Sequence, residues 1–141
     1  MPNKEGKLAV RSKVWIVDDK GEVVFGRGRK KILEAVMRCG SIHAAAKDLK
    51  MSYRAVWGRI KATEERLGKP LLVRNIGGAA GGGSQLTEFA LNMMRRFQAL
   101  HQEVAQEVDR RFDQKFRAVE KNTHRVQGCR QAGQTAHRKR R

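Results

Sequence analysis

The stretch GSIHAAAKDLKMSYRAVWGRIKATEERLG, residues 40–68, decides the fold. Ser41 is a helix N-cap residue, and it opens a run from Ile42 to Leu49. Ala44, Ala45 and Ala46 in that run favour helix and let another helix approach closely. Lys50, Met51 and Ser52 then break the pattern, and Ser52 is a second N-cap. From Tyr53 to Leu67 the positions Val56, Ile60, Thr63 and Leu67 recur at spacings of 4, 3 and 4, which is one face of a helix. The other face shows Arg54, Trp57, Gly58 and Lys61. Gly68, with Pro70 beyond it, ends the segment. An Ala-rich helix joined by a short turn to an amphipathic helix with a basic outer face describes a helix-turn-helix.

Working outward, Lys13-Val-Trp-Ile-Val17 and Glu22-Val-Val-Phe25 flank an Asp/Gly turn and predict a β-hairpin. Ile32, Leu33, Val36 and Met37 form one face of a first helix, and Gly40 stands where its C-cap wants positive φ. After the helix pair, residues 70–74 read as a strand, 76–84 as a Gly-rich loop, and Gln85-Leu86 as a returning strand. Strand, loop and strand make a wing, whose glycines let backbone N–H groups approach phosphates closely. The loop is not a nucleotide-binding P-loop, because Gly82 is followed by Gly83 and Ser84 without the phosphate-reaching lysine. Thr87 caps a long helix with Met93, Phe97, Leu100 and Val104 spaced 4, 3 and 4, continuing at four through Val108, Phe112 and Phe116. Such a helix, about 45 Å long, outlasts the core available to it, so its stripe predicts pairing with a second copy.

The chain has 141 residues with 31 Lys+Arg against 14 Asp+Glu, a net charge of +17. That charge points to a polyanion, nucleic acid before an anionic membrane surface. No run is apolar enough to span a membrane, and residues 1–10 do not read as a secretory signal. Cys39 and Cys129 are far apart and fit reduced thiols of a cytoplasmic protein. His43, His101, His124 and His137 are scattered, so no metal site is expected. The charge is uneven: residues 113–141 hold 9 basic and 2 acidic residues. From Asn122 onward too few apolar residues remain to offset chain entropy, so the composition predicts a disordered arm that holds phosphates without reading bases. The expected architecture is mainly α with small β: a flexible 1–12, a winged helix-turn-helix over 13–86 that begins with the hairpin, a dimerisation helix over 87–116, and a basic disordered tail over 117–141.

The runs GSIHAAAKDL (40–49), MSYRAVW (51–57), LGKPLLVR (67–74) and GGAAGGGSQLT (77–87) together resemble the N-terminal DNA-binding domain of ModE-type molybdate-dependent regulators, a branch of the LysR-like winged helix-turn-helix proteins. The resemblance extends from about Val14 to Phe97. It implies a cytoplasmic, homodimeric transcription regulator whose partner is double-stranded DNA. The recognition helix, residues 53–67, would enter the major groove carrying Ser52, Tyr53, Arg54, Trp57, Gly58 and Lys61. Paired helices would read half-sites about 34–36 Å apart. The wing, with Arg74, Gly81, Gly82, Gly83 and Ser84, would lie on the backbone. Met93, Phe97, Leu100, Val104 and Val108 would form the dimer contact. Molybdate-responsive members carry oxyanion-binding domains after the dimer helix, where this sequence has a short basic tail. Direct molybdate binding is therefore not expected, and no cofactor is assigned. Lys50 stands where the family commonly has glycine, and at positive φ a lysine would cost about 1 kcal/mol.

Within the recognition helix, Arg54 near the N-terminus suits a bidentate contact to guanine, and Lys61 suits phosphate. Ser52 caps and can also donate to phosphate, and Tyr53 can stack on sugar. Trp57 by its residue type reads rather as packing against the helix pair than as reading bases. His43 reads as a surface or capping-turn residue and Cys39 as an apolar filler. Two other functions compete: an architectural protein coating DNA without regard to sequence, and a protein-interaction module paired with a separate sensor. An enzyme is not expected, since no carboxylate pair or nucleophile–base set stands out.

Overall fold

The computed structural model describes residues 7–75 and 83–139, with side chains through Arg74 and from Gly83 to Arg117. The elements run β1 (Trp15–Val17), β2 (Val23–Gly26), α1 (Arg27–Cys39), α2 (Ile42–Asp48), α3 (Tyr53–Leu67), β3 (Leu72–Asn75), β4 (Gly83–Leu86) and α4 (Glu88–Lys139). Residues 13–101 form one compact unit; residues 102–141 group with 1–12 as another. The first unit is a winged helix-turn-helix, mainly α with two small antiparallel sheets.

Local chemistry builds the hairpin. Asp18 Oδ1 accepts from the N–H groups of Lys20 and Glu22, both at 2.9 Å, and Gly21 supplies φ +81°. The bond from Glu22 N–H holds the Asp18 carboxyl below its ordinary pKa. β2 turns Val24 and Phe25 inward, and Phe25 is fully buried. On α1 the buried residues are Ile32, Leu33, Ala35 and Val36; Met37, expected in that stripe, is 56% exposed. At about 100° per residue Ile32 and Val36 centre the buried arc, Ala35 and Leu33 bound it, and Met37 falls outside it beyond Leu33.

The helix pair follows its caps. Ser41 Oγ accepts from Ala44 N–H and Ser52 Oγ from Ala55 N–H, each at 3.1 Å. Gly40 and Gly68 close α1 and α3 in the left-handed region. Ala45 and Ala46 are buried, as are Val56, Ile60 and Thr63 on α3. Thr63 is a polar member of this core, with its Oγ1 donating to Val24 C=O at 2.8 Å and accepting from Arg29 Nε at 3.4 Å. Lys50, in the turn, has φ +56°, a strained value for a lysine that a glycine would relieve. Lys50→Gly is expected to raise stability by a few tenths of a kcal/mol, because relieved strain is partly offset by glycine's freedom in the unfolded chain. Lys50→Val is expected to lower it by about 1 kcal/mol or more, because a β-branched side chain tolerates this region worst. Thermal melts of the two variants should therefore move in opposite directions.

In the wing, β3 pairs with β4 in the register Leu72↔Leu86, Val73↔Gln85, Arg74↔Ser84, Asn75↔Gly83. Its roots are tied at two places. Ser84 N–H donates to Gly40 C=O at 2.8 Å; Thr87 N–H donates to Leu71 C=O and Thr87 Oγ1 to Pro70 C=O, each at 2.9 Å. The Thr87 hydroxyl also accepts from Ala90 N–H, capping α4 as its position predicts.

The start of α4 joins the winged-helix core: Ala90, Met94 and Phe97 are buried, and Met93 packs beside them. Phe97 meets Phe25 edge-on, with ring centroids 5.2 Å apart. In the second unit Glu107 is held to a pKa of about 2 by hydrogen bonds from Arg110 and then Arg111. Where composition predicts a disordered tail from residue 117, the backbone continues as helix to Lys139. Ala, Gln, Arg and Lys recur there and favour helix by propensity alone.

Candidate nucleic-acid interface

Helical periodicity places Arg54, Trp57, Gly58 and Lys61 together on the outward side of α3, opposite Val56, Ile60 and Thr63. Arg54 is exposed, one residue inside the start of the helix, and makes no hydrogen bond or ion pair among the described residues. Lys61 is differently placed. Its Nζ lies 3.3 Å from Glu64 Oε1 and 5.7 Å from the centre of the Trp57 ring. Glu64 is itself engaged, accepting from Leu71 N–H through Oε2 at 2.7 Å.

Trp57 departs from the packing role its residue type suggests, since it is 40% exposed. Ile60 and Val56 fill the arc that faces α1 and α2, which leaves the indole outside with Lys61 beside it. Gly58 is exposed, and a Cβ built on it would meet nothing within 4 Å. A glycine inside a helix costs about 0.5–1 kcal/mol relative to alanine. No packing among the described residues requires that cost at Gly58.

Tyr53 is half-buried, with its ring stacked 4.2 Å from the exposed His43 ring, centre to centre. This contact joins the first turn of α3 to α2 and leaves Tyr53 less available than Arg54. Ser52 is exposed with its hydroxyl engaged as the cap.

Between α3 and the wing lies a groove of about 340 Å³. Trp57, Lys61, Arg74 and Ser84 line it, over a floor that includes Ile42 and Leu72. Arg74 is exposed. Ser84 is only 6% exposed, so it forms wall rather than a free contact; its place at the tied root of β4 turns it inward. Gly83 is half-buried, and Gly81 and Gly82 lie outside the described residues.

Two basic positions carry no contact role in the sequence reading. Lys50, noted there for its backbone alone, is exposed in the turn before α3. Arg59 is exposed on α3, and its charge reaches Arg29, whose pKa is lowered by burial first and then by Arg59 and Arg66. Only the fold brings those three arginines together.

The predicted dimer stripe divides. Met93 and Phe97 belong to the winged-helix core and so are not free for a partner. Leu100 is 41% exposed. Val104 and Val108 lie in the second unit and are half-buried. Among the described residues no cluster of His, Cys, Asp and Glu could hold a metal ion, and no helix is long and apolar enough to cross a membrane.

Residues 29–91 match the bacterial regulatory helix-turn-helix proteins of the lysR family. The transcriptional regulator ModE of Haemophilus influenzae is 39% identical over 72 residues, covering 51% of this chain and 28% of that one. The molybdenum transport protein ModE of Azotobacter vinelandii is 40% identical over 82 residues, covering 58% and 30%. The chain thus spans about three tenths of the length of these relatives. A solved complex of the CbnR DNA-binding domain with DNA is similar at 26% identity and a TM-score of 0.47, covering 59% of this chain and 90% of that one.

Proposed function

We infer, from residues 29–91 being a helix-turn-helix domain of the lysR family, that the protein is a sequence-specific DNA-binding transcription regulator and not an enzyme. The observation that carries this reading is the outward side of α3. Arg54 stands there exposed and unengaged near the helix start, Gly58 has a size no internal packing demands, and the Trp57–Lys61 wall continues to Arg74 of the wing. N-terminal residues of a recognition helix reach base edges in the major groove. Arg54 is therefore assigned to a guanine, Gly58 to close approach of the duplex, and Lys61, Arg74 and Lys50 to phosphates. Ser52 and Tyr53 support the first turn, and the wing's Gly81, Gly82 and Gly83 follow the backbone.

The protein acts as a cytoplasmic homodimer in this reading, with Leu100, Val104 and Val108 at the contact between copies and Phe97 bracing the helix from within. Selection from random duplexes tests the whole. Enrichment of a palindrome with half-sites about 34–36 Å apart is expected. No enrichment would favour the architectural reading, which the basic charge of residues 113–141 supports. The name of the Azotobacter vinelandii relative concerns molybdenum transport; here DNA is the assigned ligand, and direct molybdate binding is not part of the proposal.

Lys61→Ala is expected to weaken binding to preferred and random duplexes alike, by about 0.5–1 kcal/mol, since its ammonium is already shared with Glu64. Gel shifts across a salt series should show the slope reduced by about 1. A loss confined to the preferred duplex would move base reading to Lys61.

A further inference from the structure

The outward side of the β1–β2 hairpin takes no part in the reading above. Trp15 is 56% exposed and Val17 44% exposed, and alternation along β1 puts both on one face. Across the ladder Trp15 lies opposite Gly26, where a Cβ would come within 3.3 Å of Trp15 Cβ. The hairpin is thus shaped to seat this tryptophan at the surface. Beside it a cleft of about 310 Å³ separates β1 from the first turn of α1. Trp15, Val14 and Val23 wall the cleft, and Lys13, Arg27 and Arg29 rim it without any carboxylate. Lys13 and Arg27 are exposed, and neither forms an ion pair among the described residues. Arg29 is half-buried, its Nε donating to Thr63 Oγ1, so Lys13 and Arg27 are the more accessible charges of the rim.

An exposed aromatic and aliphatic strip framed by charge of one sign has the composition of a docking surface. Duplex DNA fits it poorly, because phosphates gain nothing from Trp15 and Val17. The hairpin also packs on the C-terminal half of α3, through Thr63 to Val24 and Arg66 to Val23, away from Arg54. A second copy seated by the same face fits poorly too, because it would bring Lys13, Arg27 and Arg29 against their own counterparts with no carboxylate between them. We propose that this hairpin face binds an acidic protein segment, which inserts an apolar side chain beside Trp15 and sets its carboxylates on Lys13, Arg27 and Arg29. An apolar anchor inside a charged rim is how such interfaces divide affinity from orientation.

The probe is a fluorescein-labelled peptide, Glu-Glu-Leu-Glu-Glu-Phe-Glu-Glu, with a control in which alanine replaces its Leu and Phe. Anisotropy titrations use the full chain at physiological salt, as wild type, Trp15→Ala and Arg27→Glu. The wild type is expected to bind the first peptide about tenfold more tightly than the control, and each variant to lose about tenfold. Saturating duplex DNA should leave this binding in place. Several results would overturn the proposal: no binding by the wild type, equal binding of the control, no effect of Trp15→Ala, or displacement by DNA. A dimer dissociated by Trp15→Ala in sedimentation would instead make the face a contact between copies.

Discussion

Phe25→Ala is expected to destabilise the winged-helix unit by about 3–5 kcal/mol, the usual range for removing a fully buried aromatic ring. Phe25 has no exposed surface and meets Phe97 of α4 edge-on at 5.2 Å. The ring therefore couples the hairpin to the long helix across the core, and its loss leaves a cavity between elements far apart in sequence. A domain of ordinary stability has about 5–15 kcal/mol in all, so the variant stands close to unfolding. Urea unfolding should show a lower midpoint at unchanged slope. A loss below about 1 kcal/mol would mean that the hairpin collapses onto the space, and that Phe25 is not the link claimed.

The second large effect concerns binding. Arg54→Ala is expected to weaken the complex with the preferred duplex by about 1–3 kcal/mol, roughly five- to more than a hundredfold, and to relax one base position. The argument is one of availability. Lys61 shares its charge with Glu64 and Trp57, Tyr53 stacks on His43, and Ser52 caps the helix, whereas Arg54 makes no hydrogen bond or ion pair among the described residues. A long cation left free at the start of the helix loses nothing inside the protein when it turns to a base. Equal losses on preferred and random duplexes would reduce Arg54 to a phosphate contact.

Much of this fold is legible in the sequence because its signals are local. Ser41, Ser52 and Thr87 cap α2, α3 and α4, and Gly40 and Gly68 end α1 and α3, since a cap depends on three or four consecutive residues. Environment is harder to read. Trp57 and Val56 are neighbours of similar apolar character, yet one is 40% exposed and the other has no exposed surface. Which side of α3 meets α1 is a tertiary fact, and residue type alone suggests the reverse for a tryptophan. The stripe on α4 shows the same limit. Periodicity finds Phe97 and Leu100 alike, but only the position of Phe25 makes the first a core residue. The resemblance puts Ser84 among the wing's backbone contacts, while its N–H bond to Gly40 accompanies a side chain turned inward.

That bond ties β4 to the end of α1, and the pair made by Thr87 closes the base of the wing onto Pro70 and Leu71, just before β3. A loop anchored in this way is free to evolve separately from its support. Insertions between Asn75 and Gly83 would change only closure entropy, about 0.6 kcal/mol for each doubling of length. In the proposed complex, reach along the duplex backbone could then change without moving α3.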